Sequence, residues 1–164
     1  MPFKNKNLLL ILIFVLFLII LLAGCNTLSS DKELIKKIAI NIQKALEKKD
    51  VDLFMENVSY NYSDEEGGTY DNHINGLPEE LIAQIEFVEA LLDPVPGLKV
   101  VTKVSISNLA ISDPYATGKM KINISLKLCL GFCINYPGTE EVDIKYDVDF
   151  IKEEGEWMII SLAE

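Results

Sequence analysis

The sequence has no arginine, one histidine (His73), one tryptophan (Trp157) and three cysteines in 164 residues. Without arginine it has no planar, five-donor group for bidentate capture of phosphate or carboxylate. Lysine does not fill the gap, because 15 lysines face 25 acids and the net charge is −10. A chain this acidic lacks the basic footprint that nucleic acid and anionic headgroups require, so no nucleic-acid partner is expected. Cys129 and Cys133 form a bare Cys-x3-Cys with no histidine nearby, which is a poor zinc pattern. No cofactor and no metal are implied.

The longest feature present is apolar. Lys4 and Lys6 precede a run from Leu8 to Leu22 without a charged or polar side chain. A short cationic stretch followed by an apolar run is the layout of a secretory signal, whereas a membrane-spanning helix needs roughly 20 apolar residues. The run ends in Leu22-Ala23-Gly24-Cys25, which resembles the bacterial lipobox. There the cysteine thiol takes a diacylglyceryl group and the chain is cut just before it. The resemblance implies a signal peptide over 1–24, a lipid on Cys25, and a short tether to residue 30. It further implies a cell membrane location facing away from the cytoplasm, with the lipid on Cys25 as the contact to the bilayer. Removing residues 1–24 leaves 13 lysines against 25 acids, a mature charge of −12. In an oxidising compartment Cys129 and Cys133 are candidates for a disulfide.

The mature chain is long enough for one domain with its own core. Ser30 to Glu33 fits a capping box, and Leu34, Ile38, Ile42, Ala45 and Leu46 recur at helical spacing behind it. Asp50 can cap a short second helix that buries Val51, Phe54 and Met55. Tyr60 and Tyr62 alternate with Asn61 as in a strand, and the turn-rich stretch 63–70 follows. A third helix starts near Pro78, with Leu81, Ile82, Ile85, Val88, Leu91 and Leu92 as its stripe. The remainder alternates with a period of two, as strands do. The alternation slips between Ile106 and Leu109, which predicts a bulge near Asn108. Helices first and an antiparallel meander after make an α+β domain with its helices on one face of the sheet.

This order of elements resembles the NTF2-like superfamily, which includes SnoaL-like cyclases and ketosteroid isomerase. The residues that carry the likeness are Ala45 to Asp52, the stretch Tyr60 to Asn72, and the closing hairpin Phe150 to Ile159 with its Gly155 turn and Trp157 strand. The likeness covers 31–164 and implies a cone of three N-terminal helices on a curved antiparallel sheet. It also implies a recess at the wide end, whose candidate lining is Tyr60, Tyr62, Tyr70 and His73. Members use that recess as an enzyme site, a ligand cup or only a core, so the fold alone does not choose.

Chemistry-bearing residues are sparse. His73 sits in a polar connection, where a lone histidine is ordinarily exposed. Asp143, Asp147 and Asp149 alternate with apolar residues and are expected to face solvent. The run Asp64-Glu65-Glu66-Gly67-Gly68 has the oxygen-rich look of a calcium loop but not its regular spacing. It reads equally as an acidic turn. The outer sheet face carries Lys119, Lys121, Lys127, Asp143, Lys145, Asp147 and Asp149, so stacking two copies would desolvate many charges. No tight dimer through that face is expected. The leading expectation is a non-catalytic binding or interaction module on a membrane anchor. The alternatives are a small isomerase or dehydratase acting on a hydrophobic ligand, and a purely structural envelope protein.

Overall fold

Strand pairing sets the frame. A computed structural model describes residues 31–130, 132–137 and 141–164. The expected signal 1–24, Cys25, the tether and the Ser30 cap lie outside the described residues. Helix α1 covers 31–48, α2 covers Val51–Met55 and α3 covers His73–Leu92. The strands are β1 (Leu98–Ser112), β2 (Tyr115–Cys129), β3 (Cys133–Asn135), β4 (Val142–Glu153) and β5 (Glu156–Ala163). All strand pairs are antiparallel, in the order β1-β2-β4-β5, with β3 paired to β2.

Two interruptions bend this sheet. Between Ser107 and Ala110 the register to β2 shifts, and Asn108 takes a left-handed φ of 53°. Asparagine tolerates that region because its side chain can bond locally, so the expected bulge is where the alternation slips. A second shift lies between Asp149 and Phe150 on the β4–β5 side. An extra residue on one strand increases local twist and turns the sheet toward the helices.

The inner face is filled by Val104, Ile106, Met120, Ile122, Val148 and Phe150, all buried. Against it α1 places Ile35, Ile38, Ala39, Ile42, Ala45 and Leu46. The expected stripe is off by one position at its start, since Leu34 is exposed and Ile35 is buried. Both residues fit a period of 3.6, and only the position of the sheet chooses between them. Asp50 caps α2 as expected, accepting from Leu53 N–H at 3.0 Å. Helix α3 buries Leu81, Ile82 and Ile85, whereas Leu91, expected on the same stripe, is 62% exposed. Lys49, in a left-handed turn that ends α1, pairs with Glu89 at 2.6 Å and ties the two helices together.

The stretch Tyr60 to Tyr62 is not a strand. Residues 60 and 61 form a turn, and the flanking backbone bonds singly to β5: Ser59 N–H to Ile159 O at 2.9 Å and Ser63 N–H to Ile160 O at 3.1 Å. Its donors are therefore satisfied without a ladder. Cys129 and Cys133 face each other across the β2–β3 hairpin and are joined by a disulfide. Among the described residues no helix is long and apolar enough to cross a membrane.

Candidate functional site

At one end of the sheet the loop 59–72, the start of α3, β4 and the end of β5 enclose a half-open recess of about 350 Å³. Asp64 organises the loop. Its Oδ1 accepts from Glu66 N–H at 3.0 Å and from Gly68 N–H at 2.7 Å. Its Oδ2 accepts from the Tyr62 hydroxyl at 2.8 Å. This is an Asx turn extended by a phenol. Gly67, with a φ of 86°, provides the left-handed step that closes it.

The start of α3 is unusual. Ile74, Asn75 and Gly76 all have positive φ (56°, 56° and 79°), so the right-handed helix runs from Leu77 with Pro78 in its first turn. A β-branched residue seldom adopts this region. Here Ile74 is buried and its N–H donates to Thr69 O at 2.9 Å, while Asn72 Oδ1 accepts from Thr69 N–H and Asn75 N–H at 2.7 and 3.0 Å. Asn75 Nδ2 in turn donates to Glu66 O at 3.1 Å. These bonds hold a tight turn that points Ile74, Asn75, Leu77 and Glu80 at the recess.

The wall opposite is Tyr146 of β4 with Leu162, Ala163 and Glu164. The remaining lining comes from Tyr62, Asp64, Glu65 and Glu66. The recess is thus acidic around two tyrosines. Burial, then the bond to Asp64, raises the Tyr62 phenol well above its ordinary value. Burial, then Glu164, Glu80 and Glu66, push Tyr146 up to about 12. Both phenols are neutral hydrogen-bonding groups at physiological pH.

Of the four residues proposed as lining, only Tyr62 lies on this recess. The rings of Tyr60 and Tyr70 meet at a 45° tilt with centroids 4.3 Å apart. Tyr60 is exposed and borders a separate hollow with Glu153, Glu154, Glu156 and Met158. His73 turns outward, its Nδ1 paired with Glu79 on the surface. Tyr146, Glu80 and Glu164 had no distinguishing signal along the chain. Tyr146 occupies an inward position in the β4 alternation, where a phenol reads as packing. Asp143, Asp147 and Asp149 lie on the outer face, all exposed.

Of the carboxylates that line the recess, Asp64 already accepts three hydrogen bonds. Among the described residues no group of three or more His, Cys, Asp or Glu is placed to hold a metal ion. In the oxygen-rich loop Asp64 spends its oxygens on the Glu66 and Gly68 N–H groups and the Tyr62 hydroxyl.

No protein-family model matches the sequence, and no curated protein matches it. Solved structures do. One is a protein from Novosphingobium aromaticivorans provisionally named a scytalone dehydratase, at 11% identity and a TM-score of 0.51, covering 84% of this chain and 85% of that one. Another is a conserved protein from Planctomyces limnophilus at 14% identity and a TM-score of 0.50, covering 83% and 95%. A third, an NTF-2 like protein of unknown function from Shewanella oneidensis, aligns at 13% identity, 80% and 96% coverage and a TM-score of 0.46. The fold is the NTF2-like one, with helices N-terminal to a curved antiparallel sheet. At these identities the likeness is one of fold and carries no activity with it.

Proposed function

We propose that the protein is a lipid-anchored module of the cell envelope that binds a small ligand in the recess beside Tyr146 and performs no chemistry on it. The observation that carries this reading is an open, polar recess whose loop carboxylate and amides already hold its shape. Asp64, Asn72 and Asn75 are spent on the loop, and the one histidine faces away from the recess. Catalysis by general acid and base needs two groups placed to exchange protons with a ligand. The remaining lining carboxylates, Glu65, Glu66, Glu80 and Glu164, are exposed to water. Attachment through Cys25 rests on the residue pattern at 22–25, and the acidic domain surface suits a module kept clear of anionic lipid.

An isomerase or dehydratase is the second reading, favoured by the fold shared with a protein provisionally named a scytalone dehydratase. Native mass spectrometry of the full chain, extracted from membranes in mild detergent, separates the two. A small molecule that stays bound and is recovered unchanged after incubation supports the binding module. Conversion of that molecule overturns it in favour of an enzyme. A protein without small ligand but with a stoichiometric protein partner overturns it in favour of a structural role.

A further inference from the structure

The recess presents a phenol oxygen that the fold leaves without a protein partner. Tyr146 pairs with Met120 across β2 and β4 and points inward, only 7% exposed. Its side chain lines the recess, yet its hydroxyl makes no hydrogen bond among the described residues. Among the described residues no buried side-chain oxygen lacks a partner, so this hydroxyl opens into the recess while its ring is buried behind it. The neighbouring phenol is partnered, since Tyr62 bridges Asp64 and Leu162 N–H. Tyr146 therefore presents an unused oxygen to whatever enters.

The charges around that oxygen have one sign. Glu66, Glu80 and Glu164 act on Tyr146, Asp64 and Glu65 complete the rim, and no lysine lines the recess. An anion would meet repulsion at every side. Beneath the rim lie Ile74, Leu77 and Leu162, an apolar floor that a bare ion would not use.

We propose that the recess binds a small primary ammonium ion with an apolar body. Its N–H groups donate to the Tyr146 hydroxyl oxygen and to the carboxylates of Glu66 and Glu80, and its carbons lie on Ile74, Leu77 and Leu162. The volume of about 350 Å³ is at the small end for ligand sites. A metal ion fits less well, because among the described residues no three His, Cys, Asp or Glu side chains are placed to hold one. A quaternary ammonium has no N–H to give Tyr146. The inference rests on the binding-module reading and gives it a ligand class.

The test is calorimetric titration of the full chain in detergent with n-pentylammonium, pentanoate, 1-pentanol and calcium chloride. Pentylammonium is expected to bind saturably while pentanoate does not. Tyr146→Phe keeps the ring and should weaken pentylammonium about tenfold or more, the worth of one charge-assisted hydrogen bond. Glu80→Gln, on the exposed first turns of α3, should weaken it as well, and Lys119→Ala on the outer face should not. Equal affinity in both Tyr146→Phe and Glu80→Gln places the amine elsewhere and overturns the proposal. So does calcium that binds saturably and displaces the amine. If 1-pentanol or pentanoate binds and pentylammonium does not, the ligand class falls and the binding module stands. If none of the organic probes binds, both fall.

Discussion

The hydroxyl of Tyr62 accepts the N–H of Leu162 at 3.2 Å, joining the loop before α3 to the last strand across 100 residues of sequence. The same hydroxyl donates to Asp64 at 2.8 Å, so one phenol couples the Asx turn to β5 and fixes one wall of the recess. Tyr62→Phe retains the buried ring and removes both bonds. The expected cost is about 1–3 kcal/mol, because one lost partner is a carboxylate and the other is a buried backbone donor. Urea unfolding should show a lower midpoint with an unchanged slope. An unchanged midpoint would show that the loop is held by other contacts.

Gly68 is required by the carboxylate beside it. A Cβ at residue 68 would sit 2.2 Å from Asp64 Oδ2. Asp64 cannot swing away without releasing Tyr62, Glu66 N–H and Gly68 N–H. Gly68→Ala should therefore destabilise by about 1–3 kcal/mol through overpacking. The two sites are coupled, so in an Asp64→Ala background the same substitution should cost much less. Equal costs in both backgrounds, measured by the same urea melts, would refute the steric account.

The tyrosines give the protein an alkaline limit with a definite sign. Tyr146 is pushed up to about 12 from an ordinary 10.0, and Tyr62 is raised further by burial and Asp64. Tyr70 is raised as well, by the Tyr60 side chain beside it. Folding thus favours the neutral phenols. Their contribution is complete below pH 10, where the unfolded chain also keeps its protons, and is lost as pH rises through about 12. Urea midpoints should fall from pH 10 upward, and less steeply in Tyr146→Phe. Absorbance of the phenolates should show Tyr62 and Tyr146 ionising above the ordinary tyrosine range in the folded protein. A Tyr146→Phe profile parallel to wild type would contradict the assignment.

Much of this fold is legible along the chain because sheet alternation and helical stripes are local patterns. Met120, Ile122, Val148 and Phe150 face inward as their spacing requires, and the slip at Asn108 marks the bulge. What fails does so where a distant element decides. Leu34 and Ile35 are both compatible with the helical period, and the sheet selects Ile35. Leu91 belongs to the stripe of α3 but is exposed near its C-terminal end. Tyr60 to Tyr62 has strand composition, yet β5 offers its carbonyls singly and the segment turns. The recess is the extreme case. Tyr146, Glu66, Glu80 and Glu164 lie on four separate segments, and nothing in the spacing of any one announces the others.

The outer sheet face should remain solvated. Lys119 reaches Asp147 at 2.6 Å and Lys121 reaches Asp143 at 2.8 Å, all four side chains at least a third exposed. Lys121, and after it Asn123, hold the Asp143 carboxyl below its ordinary value. Burying such pairs against a second copy would cost desolvation that their attraction does not reliably repay. Sedimentation of the full chain in detergent at micromolar concentration should show no dimer that depends on this face. Lys119→Ala and Lys121→Ala should change stability by less than about 1 kcal/mol, as exposed pairs do. A dimer abolished by Lys121→Glu would overturn the prediction.

The proposed anchor makes the last prediction, and it is the one that would locate the protein. Cys25 follows Leu22-Ala23-Gly24, so a thioether there would form just where the apolar run ends. Two small residues before the cysteine admit the backbone to a peptidase cleft, and the thiol is the one soft nucleophile in that stretch. Lipid chains in pairs hold a protein at a bilayer where a single chain binds only marginally. Cys25→Ala removes the acceptor while leaving the apolar run intact. The variant should appear in the soluble fraction or accumulate as a longer, unprocessed precursor, and it should fail to incorporate labelled palmitate. A variant that fractionates and migrates like wild type would instead mean that residues 8–22 hold the chain at the membrane uncleaved. The ligand recess would keep its chemistry in that case, and only the means of attachment would change.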